Sequence, residues 1–258
     1  MSRVCVIGNS HISALVLGWR EIARDHAQTT LEFFAAPGTK VNRFKVSRGS
    51  LVPRSATLRK FLAVTSQQKT ISGDYDIYLI CGLRLGVLHM APLFGRFRPE
   101  ALTPDERAPL SNECFARSLI GCVSASLAVE TVRKLREITS APIAVIPDPL
   151  PTKNYAECDF LNRAEERGEA ETVASFFEAA CVAVCAGLNA ECHFQPSSTK
   201  SAILRTDVTY SEGAMRLRTG SAVEHRNPLS IARHMNGTYG ALVLREILGT
   251  SASRSNSE

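Results

Sequence analysis

Two residues near opposite ends of the chain have side chains that could act together as nucleophile and base. Ser10 lies in the run Gly8-Asn9-Ser10-His11, directly after a strand-like segment, and His234 comes just before the last helix-like segment. A turn from a strand into a helix can expose a hydroxyl beside backbone N–H groups that stabilise developing negative charge. The hydroxyl becomes nucleophilic only if a base such as histidine reaches it. Serine is also a preferred helix N-cap, so a structural role for Ser10 stays open.

The elements that must position these residues alternate between strand-like and helix-like patterns. Strands are predicted at 3–7, 31–36, 76–81, 143–146 and 191–195, and helices at 12–22, 56–64, 112–138, 159–188 and 237–248. This alternation predicts right-handed βαβ units and a mainly parallel sheet covered on both faces. The turns that follow the strands are 8–11, 37–53, 82–86 and 147–151. Since ligands bind beyond the carboxyl ends of such strands, we expect these turns to line one edge.

Length and composition indicate one globular domain. The chain has 258 residues, of which 45% are apolar and 21% charged. We expect residues 1–250 to form a single domain and the serine-rich segment 251–258 to be a disordered tail. No apolar run approaches the roughly 20 residues of a membrane span, so no membrane span is expected. The N-terminus lacks the pattern of a signal peptide, and we expect a cytoplasmic location.

The cysteines are interpreted as buried free thiols. The chain has eight, and most lie in apolar segments, as expected in a reducing compartment. One cluster contains the metal-ligating residue types Cys181, Cys185, Cys192 and His193, but it matches no standard zinc spacing. We therefore favour core cysteines and expect neither a metal nor a cofactor.

The charges are distributed unevenly along the chain. The formal net charge is +5, yet no acidic residue lies between Glu32 and Asp74. That segment contains eight basic residues: Lys40, Arg43, Lys45, Arg48, Arg54, Arg59, Lys60 and Lys69. It could hold or steer an anionic ligand, or it could form a solvated surface. No recognised nucleic-acid-binding motif accompanies it, so we expect no nucleic-acid partner.

The two ends of the chain resemble a known hydrolase superfamily. Gly8-Asn9-Ser10-His11 resembles the first block of the SGNH (GDSL-like) hydrolases, in the variant in which histidine follows the serine. The run His234-Met235-Asn236, followed by Tyr239-Gly240, is similar to the terminal histidine block, particularly in the polysaccharide-associated branch. The resemblance implies a flavodoxin-like three-layer α/β sandwich with a mainly parallel central sheet. It also implies that Ser10 attacks an ester carbonyl while His234 acts as general base.

The resemblance further implies three donors to the oxyanion. They are the Ser10 backbone N–H, a glycine of the second block and an asparagine of the third block. Gly49 is our candidate for the glycine, with Gly38 as the alternative. The third block falls at 82–84, where Arg84 occupies the place of the usual asparagine. A guanidinium can stabilise an oxyanion, but it needs a different geometry.

The orienting acid of the superfamily is missing from its usual place. The aspartate expected three residues before the histidine is Ile231 here, and Glu224 and Asp207 are the candidate substitutes. Asn9 replaces the aspartate usual in the first block, and His11 is expected either to orient the nucleophile turn or to bind substrate.

These observations favour a serine-dependent O-acyl esterase, or deacetylase, that acts on a small or carbohydrate-linked ester, which could be anionic. One alternative is acyl transfer to a sugar hydroxyl. Another is an inactive carbohydrate-binding relative, since fold alone does not establish activity. His225 is a second candidate for the base.

Overall fold

The computed structural model describes residues 1–155, 159–215 and 233–255. The strands found there are β1 Ser2–Gly8, β2 Thr29–Ala35, β3 Phe44–Ser47, β4 Ser50–Pro53, β5 Ile71–Ser72, β6 Ile77–Cys81, β7 Phe97–Pro99, β8 Ala108–Leu110, β9 Ile143–Ile146, β10 Glu191–Cys192, β11 Lys200–Ala202 and β12 Arg205–Thr206. The α-helices are α1 Ile12–Ile22, α2 Ala56–Thr65, α3 Ala91–Arg96, α4 Asn112–Ser124, α5 Leu127–Arg136, α6 Asp159–Glu166, α7 Ala170–Ala186 and α8 Gly237–Ser255.

Five strands form the central sheet in the spatial order β10-β9-β6-β1-β2. All neighbouring pairs in it are parallel. Numbered by their own sequence, these strands run 2-1-3-4-5, which is the flavodoxin-like order. The predicted fold class, an α/β sandwich with a mainly parallel sheet, is therefore confirmed.

The sheet has a separate hydrophobic core on each face. Along β1, Val4 and Val6 face the side covered by α1 and α8, whereas Cys5 and Ile7 face the side covered by α2, α4, α5, α6 and α7. All four of these side chains are fully buried. A parallel strand covered on both faces reads as a continuous apolar run, as this one does.

The register of the sheet aligns the strand ends that carry the site. Gly8, the last residue of β1, pairs with Ala35 of β2 and with Cys81 of β6. Cys81 in turn pairs with Ile146, the last residue of β9. The turns after these strands therefore begin at the same level of one edge.

Helices α1 and α8 pack with their backbones in direct contact. A Cβ atom at Gly240 would lie 1.9 Å from the carbonyl oxygen of Ala14, and one at Gly18 would lie 2.2 Å from the amide nitrogen of Ala241. Only glycine fits at this crossing. The contact holds the start of α8 close to the turn that leads into α1.

Two predicted helices are each divided in the structure. The segment predicted at 112–138 breaks between α4 and α5, where the Ser126 hydroxyl accepts a hydrogen bond from Val129 N and caps a new helix. The segment predicted at 159–188 breaks at Gly168, whose φ of 69° is left-handed. Helix α8 was predicted to end at residue 248 but continues to Ser255, so residues 251–255 of the expected tail are helical.

The basic segment, predicted as a loop and a short helix, contains an antiparallel hairpin of β3 and β4 followed by α2. Arg48 and Gly49 at its tip both have positive φ, as a two-residue hairpin turn requires. A Cβ at Gly73, which precedes β6, would contact the Ile138 and Gly49 carbonyl oxygens. The hairpin tip therefore reaches the amino edge of the sheet, which corrects the expectation that all of 37–53 lines the carboxyl edge.

No single helix in the described ranges is long and apolar enough to cross a membrane; α4 and α5 reach that length only together, across a 65° bend. Cys181 and Cys185 are buried on α7, and Cys192 is partly buried on β10. Among the described side chains, no group of three potential metal ligands is arranged to hold an ion.

Candidate active site

Ser10 and His234 lie within hydrogen-bond distance of each other. His234 Nε2 is 3.0 Å from Ser10 Oγ. Ser10 occupies the turn between β1 and α1, and His234 lies three residues before α8. The α1–α8 crossing thus brings together two residues that are 224 positions apart. This is the contact that a serine nucleophile and its general base require.

Ser10 is not the N-cap of α1. That cap is His11, and no side chain accepts a cap hydrogen bond there. The Asn9 Oδ1 atom accepts from His11 N at 3.1 Å, and the Ser13 hydroxyl lies 2.8 Å from the Ser10 carbonyl oxygen. Within the described part of the chain, Ser10 N–H donates to no acceptor. It is therefore available at a helix start, where a developing oxyanion is stabilised.

The residues after His234 anchor it to the fold. Met235 is buried, with 1% of its surface exposed. Asn236 Nδ2 donates to the Thr209 and Glu212 carbonyl oxygens, and its Oδ1 accepts from Tyr239 N in the first turn of α8. In the motif His234-Met235-Asn236, His234 thus contacts Ser10, Met235 packs in the core and Asn236 caps α8.

Asp148 is a site residue that the sequence analysis did not single out. It follows β9 at the carboxyl edge, and its carboxylate faces two imidazoles. His89 Nε2 is 3.0 Å from Oδ2, and His11 Nε2 is 3.5 Å from Oδ1. The aspartate side chain is 9% exposed. Its position directly after a strand end, within Pro147-Asp148-Pro149, is the signal that could have found it.

His11 connects Asp148 to His234. The His11 and His234 rings are stacked, with centroids 4.9 Å apart and an angle of 21° between their planes. Of the two roles expected for His11, this placement favours orientation of the catalytic turn.

Burial and charge set the protonation states of this group. Burial disfavours ionisation of Asp148, but the adjacent His11 and His89 imidazoles outweigh it, so the pKa of Asp148 lies below its usual range. Burial lowers the pKa of His11, although Asp148 opposes that effect. An ionised Asp148 beside a neutral His11 is therefore the state near pH 7.

The turn after β6 fits closely around Asp148. Gly82 has a φ of 73°, and a Cβ there would lie 2.5 Å from Asp148 Oδ1. Arg84, expected in the oxyanion site, also has a left-handed φ, and its side chain is exposed. Among the described residues, its guanidinium forms no hydrogen bond or ion pair, so its role as an oxyanion donor stays a prediction. The Asn9 side chain is buried, and its Oδ1 faces Gly82 at the start of this turn.

Gly49 is not at the site. It forms the exposed tip of the β3–β4 hairpin at the amino edge, whereas Ser10 follows the carboxyl end of β1. The expectation that Gly49 supplies an oxyanion donor is wrong. Strand β2 is followed by the β3–β4 hairpin, which carries Gly49 away from the carboxyl edge of the sheet. Gly38 lies three residues after β2, with a φ of 61° and an exposed backbone.

Asp207 does not orient His234. Its Oδ1 atom accepts hydrogen bonds from the Thr209 backbone N–H and hydroxyl, which cap the short 3₁₀ turn Val208–Tyr210. The other candidate acid, Glu224, lies outside the described residues, as do His225 and Ile231.

A small cavity of about 30 Å³ adjoins Asp148. Its lining is mainly apolar: Val87, Pro147, Leu150, Ala174, Phe177, Phe194, Ile203 and Leu204, with Asp148, Glu178, Gln195 and Lys200 as the polar members. On another side of the site, Arg233 Nη1 lies 3.2 Å from Tyr155 Oη. Both features lie near the strand ends where ligands of such sheets bind.

Comparison with known proteins gives distant structural likenesses. No protein-family model matches the chain, and no curated protein matches it. An extracellular lipase from Streptomyces rimosus is 12% identical with a TM-score of 0.46, over 97% of this chain and 99% of the lipase. A carbohydrate esterase family 2 enzyme with a carbohydrate-binding domain, from Corynascus thermopiles (Myceliophthora fergusii), is 10% identical with a TM-score of 0.40, over 98% of this chain and 67% of that one. A carbohydrate acetylesterase family member from Sinorhizobium meliloti is 11% identical with a TM-score of 0.37, over 96% and 100% of the two chains. At these scores the likenesses carry nothing about substrate or mechanism.

Proposed function

We propose that this protein is a serine-dependent O-acyl esterase that acts on a small or carbohydrate-linked ester. The observation that carries the proposal is the 3.0 Å contact between Ser10 Oγ and His234 Nε2 at the carboxyl edge of a parallel sheet. The resemblance of both sequence blocks to SGNH hydrolases supports the same assignment of roles.

In the proposed reaction, Ser10 Oγ attacks the ester carbonyl carbon while His234 Nε2 takes the hydroxyl proton. The carbonyl oxygen then carries the negative charge, and the Ser10 N–H and Asn9 Nδ2 are the donors that could stabilise it. His234 returns the proton to the departing alcohol oxygen, which leaves an acyl group on Ser10. Water, deprotonated by His234, then attacks the acyl carbon; the bond to Ser10 Oγ breaks, His234 returns the proton to Oγ, and the acid leaves.

The surroundings of the site suggest how such a substrate would be held. The cavity beside Asp148 is mainly apolar and small, so it would take a short acyl group rather than a sugar ring. Arg233, next to His234, offers a guanidinium to an anionic substrate group. The exposed basic hairpin tip lies at the opposite edge and would contribute only long-range attraction.

Intact-protein mass spectrometry after incubation with a fluorophosphonate probe tests this proposal. We expect one adduct on the wild type and none on Ser10→Ala or His234→Ala, because phosphonylation needs the hydroxyl and its base. Ser118→Ala, which changes a serine on α4, is the matched control and should label like the wild type. A folded wild type that stays unlabelled would contradict the proposal and favour a binding protein without turnover.

Hydrolysis and acyl transfer share every step up to the acyl-enzyme. Release of acid from a short-chain p-nitrophenyl ester without an added sugar indicates an esterase. Release of p-nitrophenol only in the presence of a sugar, with the sugar recovered as its ester, indicates a transferase.

A further inference from the structure

We propose that Asp148 and His11 position His234 for its contact with Ser10: the Asp148 carboxylate faces His11, and the His11 ring packs against the face of the His234 ring. This inference rests on the proposed esterase function and names the positioning residues of that same site.

The contacts form a continuous series. The Asp148 carboxylate lies 3.5 Å from His11 Nε2, and the His11 ring is stacked on His234 at 4.9 Å. His234 Nε2 is 3.0 Å from Ser10 Oγ. Three elements supply these groups: the turn after β9, the turn after β1 and the segment before α8. Their meeting is a property of the tertiary structure.

The surrounding chain is shaped around the carboxylate. A Cβ at Gly82 would lie 2.5 Å from Asp148 Oδ1, and one at Gly86 would lie 2.8 Å from Asp148 Cβ. Neither carboxylate oxygen has a well-aligned hydrogen-bond donor among the described residues. A shielded carboxylate that faces two imidazoles is typical of a functional position.

Among the described residues, charged and titratable groups reach His11 and Asp148 from several elements. Asp148 supplies the negative charge, His89 contacts its other oxygen, and Arg233 acts on both Asp148 and His11 from the segment before α8. Burial raises the pKa of Cys81 on β6 and of Tyr239 on α8, so both stay neutral. When His234 accepts the Ser10 proton, the negative charge of Asp148 favours the imidazolium that forms.

Both positioning residues act without transferring a proton. The His11 ring stays neutral and presents its face to the imidazolium that forms at His234, an attractive arrangement for a cation. Asp148 stays ionised and stabilises the same charge across a water-poor site. The reaction itself remains a proton transfer between Ser10 and His234.

The test measures the second-order rate constant of fluorophosphonate labelling as a function of pH. The variants are Asp148→Asn, His11→Phe and the double substitution. Phenylalanine keeps a flat ring over His234 but has no nitrogen facing Asp148. We expect each single variant to label roughly ten to a hundred times more slowly than the wild type. The double variant should be within about twofold of the slower single variant, because both changes break one series of contacts.

The pH profile separates this role from a merely structural one. Removal of the Asp148 charge makes the imidazolium form of His234 less favourable. The drop in labelling rate constant on the acidic side of the pH profile should therefore occur at lower pH in Asp148→Asn than in the wild type. A slower rate with an unmoved limb, or strictly multiplicative effects in the double variant, would overturn the proposal. If Asp148→Asn does not fold, the labelling rate of His11→Phe alone decides. A folded His11→Phe variant that labels at the wild-type rate would overturn the proposal.

Two further variants complete the design. Asp105→Asn removes a buried carboxylate that lies outside the site and should label like the wild type. Glu224→Gln tests the candidate acid predicted from the sequence, and a large loss there with none in Asp148→Asn would refute our assignment. A wild type that never labels would disprove the esterase itself, whereas normal labelling of Asp148→Asn disproves only this inference.

Discussion

At the scale of single residues, two buried carboxylates of this chain are held in different ways. Asp105 forms ion pairs with Arg107 and Arg167, and Arg107 also contacts Glu169. Asp148 instead faces the imidazoles of two histidines. The arginine pairs connect the 100–110 loop to α6 and α7, which is a structural task. A carboxylate that faces two histidines is suited to orienting them.

Asp105 should make the stability of the protein depend on pH. Hydrogen bonding from Arg107 lowers its pKa to about 2 in the folded protein, against roughly 3.9 in an unfolded chain. Because the folded pKa is depressed, the stabilisation is complete above about pH 5 and is lost as the pH falls from about 4 to about 2. We expect Asp105→Asn to lower the free energy of unfolding by about 1–2 kcal/mol at pH 7. Urea unfolding of the wild type and Asp105→Asn at a series of pH values should give midpoints that converge near pH 2. A difference between the two midpoints that does not change with pH would contradict this account.

At the scale of elements, the site depends on how closely two helices approach. The Ser10 turn begins α1 and the His234 segment leads into α8, and the glycines at their crossing allow backbone contact. A displacement of about 1 Å between reacting groups costs a large part of catalysis. The crossing therefore controls the distance between nucleophile and base.

Substitution of Gly240 tests this dependence. In Gly240→Ala the new methyl group would meet the Ala14 carbonyl oxygen, so the helices must separate. We expect a loss of about 1–3 kcal/mol in stability and a labelling rate at least tenfold lower. Gly121→Ala on α4 is the control, since a Cβ there meets nothing within 4 Å, and it should be about 0.4–1 kcal/mol more stable. Normal labelling by a folded Gly240→Ala would show that the crossing does not set the contact.

At the scale of the whole molecule, the central sheet separates a site-bearing layer from a structural one. Helices α1 and α8 cover one face and carry the segments with Ser10 and His234. The opposite face holds the larger core, in which Phe115 contacts Phe94 and Phe176. Changes in that larger core away from Phe177 and Phe194, which line the cavity beside Asp148, should affect stability without altering the Ser10–His234 contact.

Phe115→Ala tests this separation. Phe115 is fully buried, and its removal should lower the free energy of unfolding by about 3–5 kcal/mol. At temperatures well below its melting point, the variant should keep the labelling rate of the wild type. Thermal melts and labelling kinetics on the same samples check both parts, and a slowed labelling rate would mean that the two layers are coupled.

Much of the fold could be predicted because local patterns reflect the environment of each element. The strand at 143–146 and helix α1 have the predicted bounds, since buried strands and one-sided helices have characteristic apolar spacing. The β3–β4 hairpin was missed because its strands are only four residues long and lie within a segment rich in basic residues. The division of the long helices depended on single residues, Ser126 and Gly168, that also occur within helices.

The sequence by itself determined the fold class, the edge of the sheet that carries the site, and the two residues, Ser10 and His234, that the structure places in contact. It could do so because strand ends and short motifs are local features. Only the tertiary structure decided that Gly49 lies at the opposite edge, that Asp207 caps a turn, and that Asp148 lies beside His11. Those outcomes depend on sheet order, hairpin direction and helix crossing, which bring together residues that no spacing along the chain relates.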